Sequence, residues 1–177
     1  AFVVDYARFD ILNQYGGVFL DTDVELLHPF TEEMLDNAAF TGFESMNQIN
    51  PGLVYASEAG QNILHSIMSE YEHREFTTKE TICDVVTGIL VQEGLKNDDS
   101  FQRVGGVTVY PSEYFCCFDH ETQHYTITDR TVSIHHYAAS WSPWYRKIRF
   151  RSIRLIAGIM GPERYKRIKH RILKRSR

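Results

Sequence analysis

The spacing of apolar residues divides the chain into predicted helices and strands. Residues 60–71 and 80–93 carry apolar side chains at i, i+3, i+4 and i+7, which places them on one face of an α-helix. Residues 2–15 show a similar spacing and end at a pair of glycines. Shorter apolar or alternating runs predict strands at residues 18–20, 39–44, 49–56, 107–110 and 132–137.

The stretch after the first helix combines a turn, a short strand and two acids. Gly16 and Gly17 break the helical pattern, and residues 18–20 form the continuous apolar run typical of a strand buried on both faces. Asp21 lies where this strand ends, and Asp23 follows two residues later. A carboxylate at the end of a buried strand costs free energy unless it meets a cation or several hydrogen-bond donors.

Two carboxylates at this spacing suit a hard divalent cation. Mg²⁺ or Mn²⁺ takes few protein carboxylates and keeps coordination sites for phosphate oxygens. Asp21 and Asp23 therefore indicate a metal ion that holds a diphosphate. Taken alone, the pattern has a second interpretation, because Asp is common in solvated turns at strand ends.

The longer segment around these acids resembles a known enzyme family. It contains Ala-Phe-x-x-Asp-x-x-Arg at residues 1–8, Tyr-Gly-Gly at residues 15–17 and Asp-x-Asp at residues 21–23. This order resembles the donor-binding segment of the DxD sugar transferases of glycosyltransferase family 32 and their bacterial capsular polysaccharide and lipopolysaccharide relatives. The resemblance implies an α/β, GT-A fold with a mixed, mostly parallel sheet. In that family further strands precede the motif, so we expect this chain to lack the N-terminal strands of the full fold.

The resemblance also implies roles for individual side chains. Asp5 and Arg8 would contact the donor, Asp21 its ribose or the metal, and Asp23 the metal directly. We therefore predict Asp21, Asp23 and Arg8 as the catalytic residues. Without the motif, Asp5 and Arg8 would be interpreted as an i,i+3 ion pair on a helix surface, a pair that contributes only ~0.3 kcal/mol.

Two later segments supply weaker candidates. Asn50 lies in an Asn-Pro-Gly turn between strands, where the family brings an Asn-x-Gly to the donor sugar, although simple turn chemistry explains it equally well. In the helix at residues 80–93, Asp84 and Thr87 are candidates for the acceptor side. The family carries Thr-Gly-Pro near this point, whereas Ile89 stands here in place of the proline. Close packing is the alternative explanation for the mid-helix Gly88.

The last candidate segment contains adjacent histidines. On a strand His135 and His136 point to opposite faces, so at most one should reach the metal. By resemblance, His136 is the first choice as the third metal ligand and His135 the reserve. Ser140 and Trp141 would then cover the diphosphate and stack near the base or sugar, and a core or lid aromatic is the alternative role for Trp141.

Charge is distributed very unevenly along the chain. Of the 19 basic residues, thirteen follow Pro143, where Glu163 is the one acid. We predict a catalytic core at residues 1–145 and a basic amphipathic helical extension at residues 146–177. The extension would lie along an anionic membrane surface or, equally, pack on its own domain as a solvated helix. The acidic body and the absence of a binding motif argue against nucleic acid.

Together these patterns predict a retaining, Mn²⁺- or Mg²⁺-dependent hexosyltransferase that uses a UDP- or GDP-sugar and a cell-surface glycan or lipid-linked acceptor. The expected location is the cytoplasm, peripheral at the inner face of the membrane, and a homo-oligomer is compatible with the sequence. The alternative is a truncated, catalytically weak relative that acts as a membrane-associated binding or assembly subunit. Nucleotide binding by the chain separates these two hypotheses.

Overall fold

The computed structural model of the protein describes residues 2–72, 80–137 and 144–175. The chain forms two compact units. The first, called the sheet unit below, comprises Ala1–Cys116 and Thr128–His136. The second, called the helical unit, comprises Cys117–Ile127 and Tyr137–Arg177.

The helical unit contains more than the predicted C-terminal extension. Residues 117–127 group with the C-terminal helices, although they precede the predicted boundary at residue 145. The division into a catalytic core and an extension stays a prediction about function.

Helices and short strands alternate through the sheet unit. Its helices are α1 (Phe2–Tyr15), α2 (Glu32–Leu35), α3 (Asn62–Glu72), α4 (Ile82–Gln92) and α5 (Ser112–Phe115). Its strands are β1 (Gly17–Phe19), β2 (Val24–Leu26), β3 (Ala39–Ser45), β4 (Gln48–Ile49), β5 (Tyr55–Ser57), β6 (Gln102–Val104), β7 (Val107–Tyr110) and β10 (Ser133–His135). The predicted helices are confirmed, and so are the predicted strands apart from one, with small shifts at their ends. The strand predicted over residues 49–56 is instead two separate strands, β4 and β5, with a turn at residues 51–53 between them.

Six of these strands form one mixed sheet, in the order β1-β5-β3-β7-β6 with β4 also paired to β3. Within the described residues, β3 and β7 are the one parallel pair of this sheet, and its other ladders are antiparallel. A mixed sheet is compatible with a GT-A-like fold, but the prediction of a mostly parallel sheet is wrong. The reason is local. Short turns join antiparallel strands; β6 and β7 form a hairpin, and the turn after β3 leads back into β4 and β5, which both pair antiparallel with β3.

The core of the sheet unit lies between the sheet and helices α1, α3 and α4. The predicted apolar faces of α3 and α4 are both buried, with Leu64, Ile67 and Leu90 fully so. Thr81 begins α4 as an N-cap, and Asp84 completes a capping box with it. The helical spacing of apolar residues in the sequence thus correctly identifies the faces of α3 and α4 that pack in the core.

Strand β1 differs from its prediction. It is an edge strand, paired with β5 among the described residues, and Val18 is 40% exposed. The expectation of a strand buried on both faces is therefore wrong here. Helix α1 ends just before it at Gly16, whose backbone has φ +66° and whose N–H donates to Leu12 O at 2.8 Å. This turn leads the chain from α1 into β1 and on toward the two aspartates.

The helical unit is built from two long helices and a small hairpin. Its elements are β8 (Phe118–Asp119), β9 (His124–Tyr125), α6 (Trp144–Met160) and α7 (Pro162–Arg175). Gly161, at φ +84°, separates α6 from α7. Among the helices of the described ranges, none combines the length and hydrophobicity required to cross a bilayer.

Candidate metal and donor site

The turn after β1 positions the two aspartates. The N–H of Asp21 donates to the carbonyl of Gly52 at 2.9 Å, and the N–H of Val24 donates back to the carbonyl of Asp21 at 3.0 Å. These bonds anchor a tight turn between β1 and β2. Asp21 and Asp23 lie on this turn, both partly exposed.

A second strand brings a histidine to the same place. Strand β10 pairs antiparallel with β2, with His135 opposite Val24, and the N–H of His136 donates to the carbonyl of Asp23 at 2.9 Å. The side chain of His135 is buried, and its Nε2 lies 3.2 Å from Asp23 Oδ1 and 3.6 Å from Asp21 Oδ2. The strand register therefore directs this imidazole toward both carboxylates.

The structure reverses the predicted ranking of the two histidines. His136 points away from the aspartates, and its Nε2 lies 2.8 Å from Glu25 Oε2 at an exposed position. Adjacent residues on a strand face opposite sides, so the register that brings His135 to the aspartates turns His136 outward. His136 as first choice for the cluster is thus corrected in favour of His135, the reserve.

Asp21, Asp23 and His135, called the acid–histidine cluster below, fit a divalent metal ion. Each offers one ligand atom, and the three atoms lie within 4.8 Å of one another. Carboxylate oxygen and imidazole nitrogen are donors that Mn²⁺ accepts, and a shell of three protein ligands leaves positions for water or phosphate. These residues could therefore hold the ion that the sequence predicts.

Arg8 adds a buried positive charge to the cluster. Its Nη2 donates to Asp5 Oδ1 at 3.0 Å and lies 3.6 Å from Asp21 Oδ1, and its guanidinium stacks 4.4 Å from the centre of the Phe19 ring. In the part of the chain that the structure describes, Arg8 Nε and Nη1 are buried without a hydrogen-bond acceptor. Buried donors without an acceptor are costly, which fits an anionic ligand at this point.

The surroundings of Asp5 and Asp21 shift the pKa values of these two carboxyl groups in opposite directions. The hydrogen bond from His135 lowers the pKa of Asp21 below its usual 3.8, burial opposes this, and the charge of Arg8 lowers the pKa further. Burial instead raises the pKa of Asp5 above 3.8, in spite of the neighbouring Arg8. Asp21 is therefore ionised at neutral pH and available as a ligand.

Gly52 is a site residue that the sequence analysis missed. A Cβ atom at this position would clash with Asp21 Oδ2, so only glycine leaves room for the carboxylate where it lies. The Asn-Pro-Gly sequence indicated a turn, but the close approach depends on a contact with Asp21, 31 positions earlier in the chain.

The predicted donor residue Asn50 belongs to the same turn. Its Oδ1 accepts from the N–H of Gly52 at 2.8 Å, and its Nδ2 donates to Glu44 Oε1 at 3.0 Å. These bonds shape the turn that holds Asp21. A direct contact of Asn50 with the donor stays a prediction.

The acceptor-side candidates Asp84 and Thr87 have structural contacts. Asp84 caps α4 and accepts from Gln48 Nε2 at 3.0 Å. The buried hydroxyl of Thr87 donates to the carbonyl of Cys83 at 2.6 Å and accepts from the N–H of Ile49 at 2.9 Å. These contacts tie α4 to β4 and account for both side chains. Close packing does not explain Gly88, because an added Cβ there would meet no atom within 4 Å.

Ser140 and Trp141, the predicted cover of the diphosphate and base, lie outside the described residues. Their roles stay predictions from the sequence.

Comparison with protein families identifies a match that covers the part of the site nearest the N-terminus. Residues 1–41 match the family model described as a glycosyltransferase sugar-binding region containing a DXD motif. The match includes Asp5, Arg8, Asp21 and Asp23, whereas Gly52 and His135 lie beyond it.

No curated protein and no solved structure matches the chain significantly. The family match and the geometry of the acid–histidine cluster together support a glycosyltransferase that uses a divalent metal and a nucleotide-sugar donor.

Proposed function

We propose that this chain is a retaining, metal-dependent hexosyltransferase that uses a UDP- or GDP-sugar and acts on a glycan or lipid-linked acceptor in the synthesis of bacterial capsular polysaccharide or lipopolysaccharide. One observation carries the proposal. Asp21, Asp23 and His135 converge within 4.8 Å, beside the buried Arg8, and both aspartates belong to a segment similar to a sugar-binding region.

The acid–histidine cluster is the proposed site for Mn²⁺ or Mg²⁺. Two carboxylates and one imidazole supply part of a coordination shell, and phosphate oxygens of the donor would supply more of it. When bound, the ion would stabilise the negative charge that develops on the leaving nucleoside diphosphate.

Arg8 is proposed to bind the donor diphosphate through the N–H groups that have no acceptor among the described residues. Its charge is fixed in place by Asp5 and by the ring of Phe19. A buried and preorganised guanidinium stabilises developing negative charge without having to reorganise during the reaction. Asp5 would then act by holding Arg8, and Asp21 by binding the metal or the ribose.

Retention of the anomeric configuration is proposed from the family resemblance. Attack from the same face, guided by the leaving phosphate, requires neither a protein nucleophile nor a protein base, and we assign none. Asn50, Ser140 and Trp141 are the residues we propose to contact the sugar or base. The anomeric configuration of the product, measured by NMR with a suitable acceptor, tests this part.

Calorimetric titration of UDP and GDP, with and without Mn²⁺, tests the donor site. We expect binding of one nucleotide that requires Mn²⁺ and is weakened at least about 100-fold in Asp23→Ala, because a direct ligand should matter more than the outer-shell groups whose loss costs ~10–100-fold. Glu25→Ala is the matched control, because it removes a carboxylate two positions along, where the side chain pairs with His136 instead. The control should bind as the wild type does.

Two results would contradict the proposal. The first is binding that does not depend on Mn²⁺ or that Asp23→Ala leaves unchanged. The second is the absence of binding to either nucleotide by folded protein, which would favour the alternative of a binding or assembly subunit. The preferred nucleotide, if one binds, narrows the class of sugar donor.

A further inference from the structure

Helix α6 exposes four apolar side chains along one side. Trp144, Ile148, Leu155 and Ile159 are 73%, 53%, 65% and 77% exposed. At 100° per residue these positions fall within one narrow sector of the helix, and they are called the apolar stripe below. Ala157, on the opposite side of the helix, is fully buried. The apolar stripe therefore faces solvent, while the other side of α6 is covered.

Arginines line one border of the apolar stripe. Arg151, Arg154, Leu155, Gly158 and Ile159 line a shallow groove of about 450 Å³. Neither arginine forms an ion pair with a residue that the structure describes. A groove with an apolar floor and a cationic rim presents hydrocarbon and phosphate binding groups side by side.

Helix α7 separates its basic residues into two groups. Lys166 lies 2.6 Å from Asp119, and Lys169 and His170 lie 3.4 and 3.2 Å from Glu121. The remaining cations with described side chains are exposed and have no ion-pair partner among described residues; they are Arg164, Arg167, Arg171 and Lys174. The protein thus neutralises one group and leaves the other available to an external anion.

We propose that α6 and α7 form a docking surface for an anionic phospholipid bilayer, with the apolar stripe inserted at the interface and the exposed arginines on the headgroup phosphates. This goes beyond the proposed transferase activity. Charge complementarity selects the bilayer, because thirteen basic residues follow Pro143 against one acid. A second copy that docked through its own α6 and α7 would bring its arginines against these, and like charges repel. A nucleic acid would use the arginines but not the apolar stripe.

Vesicle flotation tests the docking surface. The full chain is mixed with vesicles of phosphatidylcholine and phosphatidylglycerol, and in parallel with vesicles of phosphatidylcholine alone. We expect at least tenfold stronger binding to the anionic vesicles, weakening as salt is raised. The double variant Leu155→Ser, Ile159→Ser should lose at least tenfold of this binding. Leu35→Ser, which removes an exposed leucine of the sheet unit, is the matched control and should bind like the wild type.

Trp144 fluorescence provides a second test, which remains possible if the double-serine variant does not fold. In a Trp141→Phe background, Trp144 is the remaining tryptophan. Its fluorescence should shift to the blue and be quenched by lipids brominated on the acyl chain. Equal binding to both kinds of vesicle, or a Trp144 that brominated lipid does not quench, would overturn the proposal. So would concentration-dependent self-association that the serine variant abolishes, because it would make a second copy the occupant of the stripe.

Discussion

Two pairs of carboxylates, each two residues apart in the sequence, have different surroundings in this protein. Asp21 and Asp23 in the sheet unit face one imidazole and one guanidinium. Asp119 and Glu121 in the helical unit face three basic side chains of α7, at 2.6 to 3.4 Å. The spacing is the same, and the local charge is not.

The second pair is neutralised by the protein itself. Hydrogen bonds from the N–H groups of Glu121 and Thr122 also reach Asp119 Oδ1, at 2.8 and 3.2 Å. With so many donors committed to them, these carboxylates hold α7 to the hairpin of β8 and β9. Their position explains a structural role and leaves little negative charge for a metal ion.

The first pair keeps more of its negative charge. Arg8 also pairs with Asp5, so its charge is divided between two carboxylates. His135 carries an imidazole, which is a common metal ligand. Two carboxylates at this spacing are thus available to a metal ion where few cations of the protein reach them. The comparison also suggests how each pair should respond to substitution.

The largest effect is expected from the adjacent histidines. His135→Ala should weaken Mn²⁺ binding at least about 100-fold, because it removes a direct ligand, whereas loss of outer-shell partners costs ~10–100-fold. His136→Ala, one residue on, should leave the Mn²⁺ affinity unchanged, because this side chain pairs with Glu25. Calorimetry or electron paramagnetic resonance of Mn²⁺ measures both.

Thermal unfolding of both variants separates a lost ligand from a lost fold, and His135→Asn can replace a variant that does not fold. Equal losses in the two variants, or a loss confined to His136→Ala, would contradict the assignment of His135. In that event His135 would not distinguish the surroundings of Asp21 and Asp23 as a metal site.

A smaller effect is expected from substitution of Gly52, which leaves space for the carboxylate of Asp21. Gly52→Ala should weaken Mn²⁺ binding about tenfold, because the new methyl group displaces a carboxylate held by His135 and Arg8, and misplaced ligands cost on this order. Gly88→Ala is the matched control, since its methyl group enters open space on α4. The control should keep the Mn²⁺ affinity and gain up to about 1 kcal/mol of stability. Unchanged Mn²⁺ affinity in Gly52→Ala would show that Asp21 has room to move.

The sequence predicted well those features that depend on neighbours along the chain. The apolar faces of α3 and α4 follow from helical periodicity, and β7 from an alternating run that ends at a proline. The exposure of β1 and the hairpin of β8 and β9 could not be predicted in this way. Strand order is decided by long-range pairing, and two-residue strands carry no periodicity.

The same limit applies to the candidate site. Alternation along a strand showed that His135 and His136 face opposite sides, but only the register of β10 against β2 decides which side holds the aspartates. Gly52 was missed for a related reason, because its neighbour Asp21 comes from a distant turn. Asp-x-Asp itself was recognisable, since both acids and the strand before them lie within one short segment.

The smallest effect is expected for Asp119 and Glu121, whose contribution to stability should depend on pH. Burial acts to raise the pKa of Asp119, but Lys166 and two backbone N–H groups together outweigh it and lower this pKa below 3.8. The hydrogen bond from His170 lowers the pKa of Glu121 below 4.5. A lowered folded-state pKa contributes stability above the ordinary value, and this stability is lost as the pH falls through the folded-state pKa. The pair should therefore stabilise the helical unit at neutral pH and contribute little once the pH has fallen below the lowered folded-state pKa values.

Asp119→Asn with Glu121→Gln should reduce stability at neutral pH by at most about 1 kcal/mol, because such partly solvated ion pairs are weak. Both tryptophans of the chain lie in the segment that belongs to the helical unit, so urea unfolding followed by tryptophan fluorescence reports on that unit. The difference between wild type and variant should shrink in acid, and Mn²⁺ binding should be unaffected. A difference that stays constant with pH would show that the carboxylates act by shape rather than by charge, and a loss of Mn²⁺ binding would show that the two pairs are not independent.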